Sequence, residues 1–92
     1  MTDPDILVER RGSDLFVVRV VDAGTEHQVS IPADMTADPA LGSDPERLVR
    51  ESFAFLLERE PATSILGSFS LDVIGQYFPD YPREIRRRLG VL

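Results

Sequence analysis

One histidine, His27, and sixteen carboxylates are the side chains of this 92-residue chain with the chemistry for acid–base catalysis or metal binding. A general base or a metal ligand needs convergent partners. His27 sits in the run Glu26-His27-Gln28-Val29, with no nucleophile at motif spacing. Asp34, Asp38 and Asp44 invite a calcium reading, but their spacing lacks the D-x-D-x-D-G pattern and terminal glutamate of an EF-hand loop. They read as a solvated acidic loop. Glu58 and Glu60 stand two apart and cannot share a helix face. The chain has no cysteine, which removes disulfides, thiolate metal sites and a cysteine nucleophile. It also has no P-loop, G-x-G-x-x-G, H-E-x-x-H or G-x-S-x-G motif. The expectation is a protein that is not an enzyme and carries no cofactor and no metal. A small hydrolase or isomerase built from carboxylates ranks last, because nothing in the sequence pairs them.

Binding chemistry is better represented. Arg83, Arg86, Arg87 and Arg88 stand against Glu84 alone, so residues 83–92 carry +3 while the other residues carry −9, for a net charge of −6. Such a tip suits phosphate or an acidic partner, and it equally suits a helix C-terminus, whose free carbonyls favour cations. The acidic body disfavours wholesale nucleic-acid binding. Tyr77-Phe78-Pro79-Asp80-Tyr81-Pro82 holds three aromatics and two prolines. It reads as a recognition loop built on Tyr77 and Tyr81, or as a rigid corner whose rings close the core.

These residues need elements to hold them, and the length suits one small domain over 1–92. Runs at 5–11, 15–21 and 26–31 are rich in β-branched and apolar residues, with Gly12-Ser13 and Ala23-Gly24 between them. Two-residue turns there predict an antiparallel meander. The implied register pairs Leu7 with Val18 and Glu9 with Phe16, then Val20 with His27, Val18 with Val29 and Phe16 with Ile31. Leu7, Phe16, Val18, Val20, Val29 and Ile31 then share a buried face. The other face collects Ile6, Val8, Leu15, Val17 and Val21, among Arg10, Arg19, Gln28 and Ser30. That many apolar residues outside the core suggest a dimer or partner surface, unless the C-terminal segment folds over them.

After Pro32, residues 33–43 read as a loop. Asp44-Pro45-Glu46 starts a helix over 45–59: an N-cap, a proline at the first position and an acid in the first turn. Leu48, Val49, Ser52, Phe53, Phe55, Leu56 and Leu57 form its apolar stripe, the cover for the sheet. Pro61 ends it. Residues 61–68 read as a corner with a helical turn, Ile65 and Leu66 plugging the core and Gly67 breaking the turn. Ser70 is the expected cap of a helix over 71–78, in which Gly75 allows close packing. A last helix spans 82–89. The fold class is α+β: a three-stranded antiparallel β-meander packed on one long helix, followed by two short C-terminal helices.

Two resemblances accompany this reading. The stretch Phe55-Leu56-Leu57-Glu58-Arg59-Glu60-Pro61, with Ser64-Ile65-Leu66, Phe69, Leu71, Ile74 and Tyr77-Phe78-Pro79, resembles a pattern in short bacterial proteins of unassigned function. The meander ending in Val29-Ser30-Ile31-Pro32, followed by Gly42-Ser43-Asp44-Pro45-Glu46 and a helix, is similar in layout to HicB-type antitoxins. That resemblance implies a sheet–helix unit that inhibits a small RNA-cleaving toxin and often dimerises. Here Pro32 is followed by Ala33-Asp34 in place of the family's Pro-Gly-Cys, and no site residue carries over.

The all-arginine basic set suggests GC-rich coding and a bacterial source. An acidic N-terminus, the lack of cysteine and the lack of a roughly 20-residue apolar run lead to the expectation of a cytoplasmic protein without a membrane span. The resulting reading is a non-catalytic protein-binding module, adaptor or regulatory, with a protein partner or a second copy of itself. The candidate contact residues are Ile6, Val8, Val17, Val21, Tyr77, Tyr81, Arg83, Arg86, Arg87 and Arg88. The alternative is an antitoxin-like or nucleic-acid-associated regulator that uses the basic C-terminal helix.

Overall fold

The computed structural model describes residues 6–90. Asp5, where the first strand was expected to begin, lies outside them. The fold is α+β, with a four-stranded mixed sheet in the order β1-β2-β3-β4. Strands β1 (Ile6–Arg10), β2 (Leu15–Val20) and β3 (Thr25–Ser30) form the expected antiparallel meander. A fourth strand, β4 (Ser68–Ser70), runs parallel to β3. It corrects the three-stranded expectation and lies where a corner and a helix cap were read.

Both hairpin registers differ from the sequence reading, with different consequences. The first loop has three residues, Gly12, Ser13 and Asp14. The Arg11 and Gly12 amides both donate to the Leu15 carbonyl, at 2.8 and 3.1 Å, and the Arg10 guanidinium ties down the carbonyls of Gly12 and Ser13. Ile6 therefore pairs with Val20, and Val8 with Val18. A one-residue slip turns every side chain of a strand over. Ile6 and Val8, expected on the outer face, point into the core, and Leu7 points out at 57% exposure. Burying two apolar residues in place of one favours the observed register. The second loop spans four residues and ends on Gly24, whose φ of 70° suits glycine. Val18 then pairs with His27 and Phe16 with Val29. This shift is even, so Phe16, Val18, Val20 and Val29 keep the buried face expected of them.

Residues 33–43 are not an irregular loop. They form two single turns of helix, α1 (Ala33–Thr36) and α2 (Pro39–Gly42). Asp38 caps α2 by accepting from the Ala40 amide at 2.9 Å. A Cβ on Gly42 would lie 2.1 Å from the Thr36 carbonyl oxygen, so only glycine lets the two turns stack this closely. Helix α3 (Pro45–Leu57) starts as expected, with Asp44 accepting from the Arg47 amide. It buries Leu48, Val49, Phe53, Phe55 and Leu56 in one core with the inner sheet face. With α1 and α2 it forms the crossover that a parallel β3–β4 pair requires.

Past Pro61 come a 3₁₀ turn (Ala62–Ser64), β4, α4 (Asp72–Tyr77) and α5 (Tyr81–Arg88). Ser70 pairs with Ser30 in the sheet and caps nothing; α4 instead hangs from the Leu71 amide, which donates to the Ser30 carbonyl at 2.9 Å. The closest atoms to a Cβ built on Gly75 belong to the Pro82 ring at 3.9 Å, so no tight backbone approach calls for glycine there. Among the described residues the helices cover one sheet face and leave the other bare. On that bare face Leu7 and Leu15 are interspersed with the exposed Glu9, Arg19, Glu26 and Gln28.

Candidate functional site

Beside β4 the helical layer does not close. The end of α3, the segment leading into β4, and α4 surround an apolar groove of about 430 Å³. Leu56, Ile65 and Phe69 line it from α3, the corner and β4, and Val73 and Tyr77, one turn apart, line it from α4. Leu66 and Tyr77 stand at its edge, 51% and 69% exposed. Glu60 is the one charged residue lining it, half-buried and without an ion pair among the described residues.

Local sequence explains the opening. Pro61 stops α3 and turns the chain, and Ile65 drops into the core. Leu66, expected to plug the core beside it, points outward instead, and its carbonyl is taken by His27. The buried imidazole donates from Nδ1 to the Leu66 carbonyl at 2.8 Å, while Nε2 lies 3.0 Å from the Thr25 hydroxyl. One residue on, the Gln28 amide donates to the Gly67 carbonyl at 2.8 Å and starts β4. His27 thus has both ring nitrogens engaged and holds the groove's rim to β3. Sequence reasoning missed Glu60, Leu66, Phe69 and Val73 as a group. The period-two alternation of Ser68-Phe69-Ser70-Leu71 was the available signal.

The structure disperses the other candidates. Ile6 is buried, Val8 is half-buried against the core, and Tyr81 is only 2% exposed, so none of these three offers a free surface. Val17 is on the outer sheet face but is 4% exposed, set between Glu9 and Gln28 in the ladder. Val21 is exposed in the second hairpin loop. Tyr77 alone of the apolar candidates lines the groove.

Most of the arginine tip is occupied. Arg86 donates to Asp38 at 2.5 Å and Arg88 to Glu58 at 2.6 Å, pinning α5 to α2 and to the end of α3. Arg87 pairs with Glu84. The hydrogen bond from Arg86 holds the Asp38 carboxyl below the usual range, and that from Arg88 does the same for Glu58. Arg83 is exposed, with no such partner among the described residues. Beneath the tip lies an aromatic knot: the Arg59 guanidinium sits 3.7 Å over the Phe55 ring, which meets Phe78 edge-on and tilts against Tyr81. The Tyr81 hydroxyl lies 2.7 Å from Ser52 Oγ. Ser52 spends its own proton on the Leu48 carbonyl, so Tyr81 is the donor. Burial pushes the Tyr81 phenol up to about 12.

Among the described residues no three His, Cys, Asp or Glu side chains gather as a metal ion would require, and no helix is long and apolar enough to cross a membrane. The molecule is thus a small α+β domain with an apolar groove beside a sheet edge. Comparison with protein-family models, with curated proteins and with solved structures finds no match to this chain.

Proposed function

We propose that this chain is a non-catalytic protein-binding module of a bacterial cytoplasm, and that its groove takes an apolar side chain of a partner protein. The observation that carries the reading is the groove itself, with Leu66 and Tyr77 left exposed at its edge. Exposed apolar side chains around a concave apolar surface are the usual anatomy of a contact site. His27 supports the non-catalytic part, since its two nitrogens are engaged in holding the rim. A nucleic-acid-associated or antitoxin-like regulator receives less support, because Arg86, Arg87 and Arg88 each face a carboxylate. The test is a pull-down from bacterial lysate, with and without nuclease, using the wild-type chain, Leu66→Asp and Tyr77→Asp. The expected outcome is one protein recovered by wild type under both conditions and lost with either variant, both of which keep the wild-type melting temperature. Recovery unaffected by the variants, or abolished by nuclease, would overturn the reading.

A further inference from the structure

The two edges of the sheet are treated differently. On β1, the Arg50 guanidinium donates to the outward Ile6 carbonyl at 2.7 Å, so a charge blocks that edge. On β4, nothing comparable is present among the described residues. In a parallel ladder the backbone groups of alternate residues point to opposite sides. Gly67 and Leu71 both bond to β3, through Gln28 N–H to the Gly67 carbonyl and Leu71 N–H to the Ser30 carbonyl. The N–H and C=O groups of Ser68 and Ser70 therefore face away from the sheet, and none of the four has a partner among the described residues. An open edge of this kind is a template for another strand.

The open edge and the groove adjoin. Phe69, between the two serines, points to the core side and lines the groove. A strand added to β4 would lie about 4.8 Å away and set its inward side chain next to Phe69. Glu60 would then be the acid awaiting a cation. We propose that β4 accepts an extended segment of a partner protein as a fifth strand, with an apolar residue placed beside Phe69 and a lysine or arginine reaching Glu60. This rests on the protein-binding reading above and adds its mode and its chemistry. A second copy of the chain is a poorer occupant. Two bodies of net charge −6 repel, which disfavours pairing one copy's edge with another's.

The experiment selects phage-displayed random peptides on the full chain and measures the synthetic peptides by fluorescence anisotropy. The expected peptides carry an apolar residue close to a lysine or arginine. Their affinity should fall at least about tenfold with Ser70→Pro, which removes an outward donor that no ladder bond uses. N-methylation of alternate peptide amides should weaken binding similarly. On the wild-type chain, peptide binding should slow hydrogen exchange at the Ser68 and Ser70 amides, a readout that does not depend on how the proline variant folds. Binding lost in Leu66→Asp but indifferent to Ser70→Pro, to N-methylation and to exchange would overturn strand addition and leave the groove reading standing. Binding indifferent to Leu66→Asp, or no peptide selected, would overturn both. A dimer of the free chain that Ser70→Pro dissolves would make a second copy the occupant and overturn the proposal.

Discussion

The hydroxyl pair of Ser52 and Tyr81 is a buried polar contact between α3 and α5 whose loss has a definite energetic consequence. Both are buried, and among the described residues Tyr81 has only Ser52 to receive its proton. Ser52→Ala should cost about 1–3 kcal/mol, because a buried donor is left unmet. Adding Tyr81→Phe should return much of that loss, and urea denaturation of the single and double variants checks it. The same phenol sets an alkaline limit. Its folded value, about 12, is above the unfolded value of 10.0, so the folded state keeps the proton longer. Stability is then fully present below pH 10 and falls as pH rises through the folded value, by about 2–3 kcal/mol in all. Tyr81→Phe should flatten that alkaline fall, as read by denaturation between pH 9 and pH 12.

The first hairpin's three-residue loop puts Ile6 in the core and Leu7 in water. Ile6→Ala should therefore cost about 2–4 kcal/mol, and Leu7→Ala should stay within about 0.5 kcal/mol of wild type. The register read from two-residue turns requires the reverse order. In α4, Gly75 meets only the Pro82 ring at ordinary contact distance. Gly75→Ala should stabilise the protein by up to about 1 kcal/mol through helix propensity. Thermal melts of the three variants decide both points. The three antiparallel strands and the helices from α3 on were readable, since alternation, the Asp44-Pro45 start and the Pro61 stop are local signals, whereas the single turns α1 and α2 were not. Strand β4 was missed because its alternation, Ser68-Phe69-Ser70-Leu71, runs for so few residues and its partner strand lies some forty residues away.

At the scale of the whole molecule, charge works as fastening more than as display. Arg86 and Arg88 tie α5 to Asp38 and Glu58, and both carboxyls are held below their usual range. Groups shifted in this direction stabilise the fold above their unfolded values, 3.8 and 4.5, and lose that contribution as pH falls through the lowered folded values. Replacing both arginines by glutamine should make stability less dependent on pH below pH 5, as measured by acid titration of the unfolding midpoint. The pairs are exposed enough that their worth at neutral pH is small. They nevertheless cancel most of the basic tip that a nucleic acid would need.

The sequence alone determined the fold class, the long helix, the three antiparallel strands and the buried face of β2 and β3. Each depends on neighbours a few residues apart, and an even slip in register leaves the faces unchanged. The facing of β1 required the tertiary structure, because a one-residue difference in loop length inverts it. So did the fate of the arginines, whose partners come from 30 and 48 residues away. The groove belongs to the same class. It exists because His27 and Gln28 on β3 draw the chain at Leu66 and Gly67 into a fourth strand, leaving an open edge that no local pattern encodes.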